Sequence, residues 1–198
     1  MSIRTRIRDA AICLFARKGG DRVTISELAD EAGVARGTVY NTIPDPGALF
    51  EDIAGDLARE MQERVVASMA GLTDPALRLS CGVRLFIRRA HEEPHWGRFL
   101  VRFSLTNRAL QGLLTSSSTE DILKGVEQGR YIVPREQVTS VVAMIGGTTL
   151  AAMLLVQEGH RAWREAGSEA AELLLVALGV DRQEARAVAT QKLPPLSD

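Results

Sequence analysis

Apolar residues recur along this chain at spacings of three and four, with no alternating apolar–polar run of any length, which predicts an all-α protein. A first helix is expected over Ile3–Lys18, stopped by Gly19-Gly20. Thr24 followed three residues later by Glu27 is a capping-box pattern. A second helix should therefore open at about Ile25, with Ile25, Leu28, Ala29 and Ala32 on one face. Gly33 comes next, and its access to positive φ lets the chain reverse within a few residues. A third helix from about Arg36 turns Val39 inward. Two short helices joined by a tight turn make a helix-turn-helix, the shape that sets its second helix into a DNA major groove.

Further along, Asp45 is the expected N-cap and Pro46 the first residue of a long helix to about Ala70. Asp74-Pro75 repeats that start for a helix to His91. Pro94 stops it and leaves a short aromatic-rich piece over His95–Leu105. Thr115–Thr119 reads as a loop or kink, with Ser118 and Asp121 as a second capping box for a helix towards Gly129. Pro134 begins an apolar helix to about Gln157. Gly167-Ser168 opens the last helix, which pauses at Gly179 and resumes after Asp181, and Pro194-Pro195 marks a loose tail.

The outward face of the third helix is Arg36, Gly37, Thr38, Tyr40 and Asn41. A guanidinium, an amide and hydroxyls on a short helix suit phosphate and base-edge contact, and Arg36 alone has the reach for a guanine O6/N7 edge. Thr24 stands at the mouth of the preceding helix, where its hydroxyl and amide can serve both as cap and as phosphate contact.

At these residues the chain resembles the TetR family of transcriptional regulators. The resemblance runs through Asp9, Ala10, Ala11, Leu14, Phe15 and Gly19, then Thr24, Leu28-Ala29, Ala32-Gly33-Val34, Gly37-Thr38-Val39-Tyr40 and Ala48-Leu49. Downstream it extends only to length and helical character. It implies a three-helix DNA-binding domain over residues 1–46 and a larger helical ligand-binding and dimerisation domain over 47–198. It also implies a phosphate-contacting role for Tyr40 and, more weakly, for Thr42. Three positions depart from the family pattern: Ala35 where a Ser or Thr usually caps the recognition helix, Ile43 in place of an aromatic, and Pro46 in place of a phosphate-reaching Lys.

Composition refines this picture. The chain of 198 residues carries a net charge of −1, so the whole molecule is not a basic nucleic-acid binder. Positive charge is local: residues 1–44 hold seven Lys/Arg against five Asp/Glu, and Arg4, Arg6 and Arg8 open the chain. Such a start reads either as an arm along phosphates or as a solvated terminus. Its alternation of isoleucine and arginine is unlike a secretory leader, and Cys13 and Cys81 look like small core residues, so a cytoplasmic location is expected. No catalytic, metal or cofactor group is expected. His91 and His95 stand four apart, but Pro94 between them breaks the helix that would align them.

The stretch Val138–Val156 holds 19 residues without a charge, just long enough to span a bilayer. Its threonines, serine and glycines favour a helix buried on two sides, by its own domain and by a partner subunit. Val141, Val142, Ile145, Leu150, Met153 and Leu154 on that helix, with Ala170, Leu173, Leu174, Val176, Ala177 and Leu178 on the last, suit an intermolecular four-helix bundle. The resemblance implies such a homodimer too. It further implies a cavity in the second domain for a small, hydrophobic effector. His91, His95, Trp96, Phe99, Arg102 and Phe103 are the candidate lining, with Met61, Met69, Met144 and Thr148 as a possible wall. Plain core is the competing reading of those aromatics and methionines. The expectation is thus a ligand-responsive repressor that binds a palindromic double-stranded operator as a dimer. The alternative is a dimeric helical ligand- or protein-binding module with weakened or lost DNA binding.

Overall fold

The structure is a computed structural model that describes residues 2–19, 23–43, 45 and 48–197, apart from the side chains of residues 114–117. The described residues form helices α1 (Ile3–Lys18), α2 (Ile25–Ala32), α3 (Arg36–Thr42), α4 (Leu49–Ser68), α5 (Pro75–Glu92), α6 (Pro94–Phe103), α7 (Arg108–Glu127), α8 (Val138–Gln157), α9 (Trp163–Ala177) and α10 (Arg182–Ala189). A 3-10 turn at Arg135–Gln137 leads into α8, and no strand occurs among the described residues.

Helices α1–α3 make a small head, with Ile7, Ala11, Leu14, Leu28, Ala29 and Val39 packed in its middle. The head sits on α6 and the start of α4, both of which pack against α1. In the body, α5 lies at the centre, surrounded by α6, α7, α8, α9 and α10. Its inner face is a continuous row of buried residues, Leu79, Val83, Phe86, Ile87 and Ala90.

The expected boundaries of α1, α2 and α3 agree with the structure to within a residue. Gly19 ends α1 at φ 101°, whereas Gly20 and Pro46 lie outside the described residues. Several expectations change further along, the first being that α4 opens at Leu49 with Ala48, and not Asp45, at its N-cap position. The serine-rich stretch is not a loop: α7 runs through it from Arg108, because Asn107 caps the helix by accepting a bond from the Leu110 amide at 3.1 Å. Leu110, Leu113 and Ile122 then keep one buried stripe going. A few tenths of a kcal/mol of unfavourable propensity per serine are outweighed by roughly 1.5–3 kcal/mol for each large apolar side chain buried. Asp121, expected in a capping box, instead accepts a bond from Arg78 Nε at 2.8 Å. Pro94 does end α5, but it also opens α6 as its first residue. Lastly, α9 starts at Trp163 and Gly167 lies inside it, where α9 approaches α5. A Cβ there would come within 3.3 Å of the Arg84 side chain.

Helix α8 belongs to the only segment among the described residues, Arg135–Gln157, that is long and apolar enough to cross a membrane. Its apolarity has another account. Val142, Ile145, Leu150 and Met153 are buried against the neighbouring helices, while Met144, Leu154 and Leu155 form an exposed stripe on the other side. Gly146 faces inward beside a cavity and Gly147 outward, with nothing in the subunit close to it.

Candidate functional site

The helix-turn-helix is held by its own backbone. The Thr24 hydroxyl accepts from the Glu27 amide at 3.3 Å, and the Thr24 amide donates back to the Glu27 carboxylate at 3.1 Å, closing the capping box. Lys18 also pairs with Glu27. The Lys18 hydrogen bond first, and the Thr24 amide after it, hold this carboxyl down at about 2. Gly33 takes the left-handed conformation, φ 63° and ψ 43°, and its amide and that of Val34 close the end of α2 on Asp30 and Ala29. From α1, the Arg6 guanidinium donates to the Ala32 and Gly33 carbonyls at 2.7 and 2.9 Å, pinning the turn.

This scaffold fixes α3 by burying Val39 completely. Arg36, Gly37, Tyr40 and Asn41 face solvent, Tyr40 with 59% of its surface exposed, and Thr38 is half-buried. Thr42 differs from the rest, because its hydroxyl donates to the Thr38 carbonyl at 2.7 Å and is already engaged. Ala35 provides no side-chain cap to α3. Thr24 is exposed at the N-terminal end of α2. The N-terminal arginines do not form an arm: α1 begins at Ile3, Arg6 and Arg8 bond within the protein, and only Arg4 is exposed.

The aromatic and histidine candidates from the sequence lie mainly where head meets body. Phe15, Phe50, Phe99 and Phe103 form one aromatic cluster joining α1, α4 and α6, with ring centroids 4.8–6.3 Å apart. Arg102 donates to the Ala16 and Arg17 carbonyls at the end of α1. His95 Nε2 stands 3.8 Å from the Cys13 sulfur, again between α6 and α1. Trp96 lies against the Arg89 guanidinium, 4.5 Å from ring centroid to carbon, and Met61 Sδ is 3.4 Å from Arg89 Nη1. His91 is on the surface, stacked on Trp163; Met144 is exposed and Thr148 half-exposed on the outer side of α8.

Arg89 is the centre of a network that sequence reasoning missed. It is 3% exposed and bonds to Glu60 at 2.7 Å and to Glu93 at 3.2 Å. Glu60 also accepts from Arg8 of the head at 2.6 Å and pairs with Arg64 at 3.4 Å. Burial works to raise the Glu60 pKa, but the Arg8 hydrogen bond and the Arg89 and Arg8 charges outweigh it and hold the carboxyl below its ordinary range. The pairs Glu60–Arg64 and Arg89–Glu93 are four apart in sequence, but nothing local joins them to each other or to Arg8, since the members come from three separate helices, α1, α4 and α5, and the junction after α5.

A cavity of about 60 Å³ opens between α4, α5, α7 and α8. Val65, Met69, Leu79, Val83, Phe86 and Ile145 make its apolar wall, and the Arg78–Asp121 pair, Gln62, Ser118 and Thr149 bring polar groups to it. Of the methionines and threonines named from sequence, Met69 reaches it, and Thr149 lines it where Thr148 does not. Phe86 connects the two regions: one part lines the cavity, and its ring lies 6.1 Å from that of Trp96. Among the described residues, no group of three or more His, Cys, Asp or Glu side chains is placed to hold a metal ion.

Comparison with known proteins agrees with this layout. Residues 7–53 match the model for bacterial regulatory proteins of the tetR family, and residues 74–191 match the model for the tetracyclin repressor-like C-terminal domain. No curated protein sequence matches the chain. Among solved structures, RolR in complex with resorcinol is 28% identical, over 98% of this chain and 96% of that one, with a TM-score of 0.72. CprB from S. coelicolor A3(2) is 18% identical over 96% and 98%, with a TM-score of 0.75. FadR from Bacillus subtilis in complex with stearoyl-CoA is 18% identical over 89% and 99%, with a TM-score of 0.73; at that identity these last two bear on the fold alone. With one family model covering the helix-turn-helix and another more than half of the chain, this protein belongs to the TetR family of transcriptional regulators.

Proposed function

We propose that the protein is a cytoplasmic repressor that binds a palindromic operator as a homodimer and leaves it when a small molecule fills the cavity. The observation that carries the DNA half is the outer face of α3. Arg36, Gly37, Tyr40 and Asn41 are exposed on a helix whose other side is locked by Val39 and whose turn is pinned by Arg6. Tyr40, 59% exposed, offers an aromatic hydroxyl to a phosphate, and Arg36 is placed for a phosphate or guanine edge. Thr24 and Thr38 flank that face, and Thr42 contributes through its position in the helix and not its hydroxyl. In this reading residues 1–46 meet DNA, and residues 47–198 bind the effector and the partner subunit.

The dimer reading rests on the exposed apolar stripe. Met144, Leu154 and Leu155 of α8 and Leu173 of α9 are 37–62% exposed, on the two helices that a two-fold four-helix bundle would use. Two copies then present two recognition helices to half-sites a helical turn or more apart.

For the effector, the small cavity, apolar walls and an arginine–carboxylate pair favour a compact ring bearing hydroxyl groups. The resorcinol carried by RolR, 28% identical to this chain, is of that kind. A ligand pressing on Phe86 would move Trp96, and through Arg89 and Glu60 the Arg8 anchor of the head. Release follows if the ligand binds the displaced arrangement more tightly.

Selection from a random duplex library at low salt, followed by a salt series on the winner, tests this reading. The expected result is a palindrome whose affinity falls steeply with salt and weakens in Arg36→Ala and Tyr40→Phe without loss of fold. The uncapped start of α3 at Ala35 favours the second reading, a dimeric helical module without DNA affinity, and failure to enrich any duplex would establish it in place of the first.

A further inference from the structure

A second, larger recess lies outside the cavity and shares no residue with the exposed stripe of α8 and α9. It is a groove of about 570 Å³ between α5, the start of α9 and the tail that follows α10. Four cations line it, Arg84, Arg88, Arg164 and Lys192, with one carboxylate, Glu92. Arg88 is engaged by Glu92 at 2.8 Å. Arg84, Arg164 and Lys192 have no carboxylate partner among the described residues.

Arg84 is the informative member. Its side chain is half-buried, with Gly167 of α9 leaving just enough room for its stem, and burial lowers its pKa from the ordinary arginine value. Taking a guanidinium partly out of water without a counter-charge is unfavourable, so such groups are normally paired. It stands about two turns before the end of α5, too far to serve as a partner of that helix's terminal carbonyls. Nearby, the Arg164 guanidinium lies 4.4 Å from the centre of the Trp163 ring, with Arg88 at 5.7 Å, so the indole holds both forks at the groove's edge.

We infer that this groove is a binding site for a small molecule carrying a multiply charged phosphate group, distinct from the cavity. Guanidinium forks bind phosphate oxygens in pairs, and an incoming phosphate gives Arg84 the counter-charge that the protein does not supply. The volume admits a diphosphate with an organic group attached. This site needs neither the operator nor the cavity ligand, so it stands apart from the function proposed above.

The experiment is calorimetric titration of the full chain with inorganic pyrophosphate, ionic strength held constant with chloride. Citrate is the second arm, to separate phosphate from carboxylate recognition. Saturable binding of one pyrophosphate per subunit is expected, with citrate weaker. Arg84→Gln and Lys192→Gln should each weaken it by about tenfold, the loss of one charged hydrogen bond. Arg36→Ala should leave it unchanged, since the recognition helix is the other place for a phosphate to bind. Trp163→Phe should remove the accompanying fluorescence change. No saturation, an affinity in both groove variants equal to that of the native chain, citrate binding as tightly as pyrophosphate, or loss in Arg36→Ala would each overturn the assignment. If Arg84→Gln melts early, the exposed Lys192→Gln decides alone.

Discussion

Glu60→Gln isolates the junction between head and body. In the native protein Glu60 compensates a guanidinium that is only 3% exposed and also receives Arg8 from α1. Leaving a buried charge wholly unpaired costs about 3–5 kcal/mol. Here Glu93 still pairs with Arg89, and Glu60 is itself about a third exposed, so solvent screening lowers the figure to about 1–2 kcal/mol. For a chain of this size that is a fall of about 3–6 °C in Tm at pH 7. The sign of the pH dependence follows from the depressed Glu60 carboxyl. Its stabilisation is complete above the unfolded carboxylate value of about 4.3 and is lost as the pH falls through the lower folded value. Thermal melts of native protein and variant from pH 7 to pH 3 should therefore show a gap that is widest at pH 7 and closes on acidification. Equal Tm values at pH 7, or a gap that does not narrow as the pH falls below about 4, would refute the argument that charge compensation holds this junction.

Other substitutions test separate parts of the structure. Gly97→Ala places a methyl 2.8 Å from Ala90 Cβ where α6 crosses α5, and should cost about 1–3 kcal/mol, whereas Gly37→Ala enters open space and should leave Tm unchanged or slightly higher. A melt in which the two behave alike would contradict the packing described. Gly33→Ala forces an alanine to φ 63° and should lower stability by about 1 kcal/mol, visible as an earlier urea midpoint; an unchanged midpoint would mean that the turn tolerates other geometry. Leu173→Glu puts a charge on the most exposed leucine of α9 and should convert dimer to monomer in sedimentation, with an unaltered mass counting against the bundle interface.

What the sequence by itself determined is local. Capping side chains and turn glycines act within four or five residues, so Thr24 with Glu27, Gly33, Asp74-Pro75 and Asp181 set helix ends that are the same in the structure. The head was legible for the same reason: its fold depends on short-range spacing, and Val39 in with Tyr40 out follows from helical period alone. Where local preference and tertiary packing disagreed, packing decided, as in α7, whose serines sit inside a helix because Leu110, Leu113 and Ile122 bury one side of it. Which aromatics face one another is decided by how α1, α4, α5 and α6 cross. Phe99 and Phe103 therefore join Phe15 and Phe50 at the head–body contact, and the cavity falls to Phe86, Met69 and the Arg78–Asp121 pair. Glu60 with Arg8 and Arg89, and the uncompensated Arg84, lie beyond any sequence pattern, because long-range charge pairing leaves no period in the chain to read.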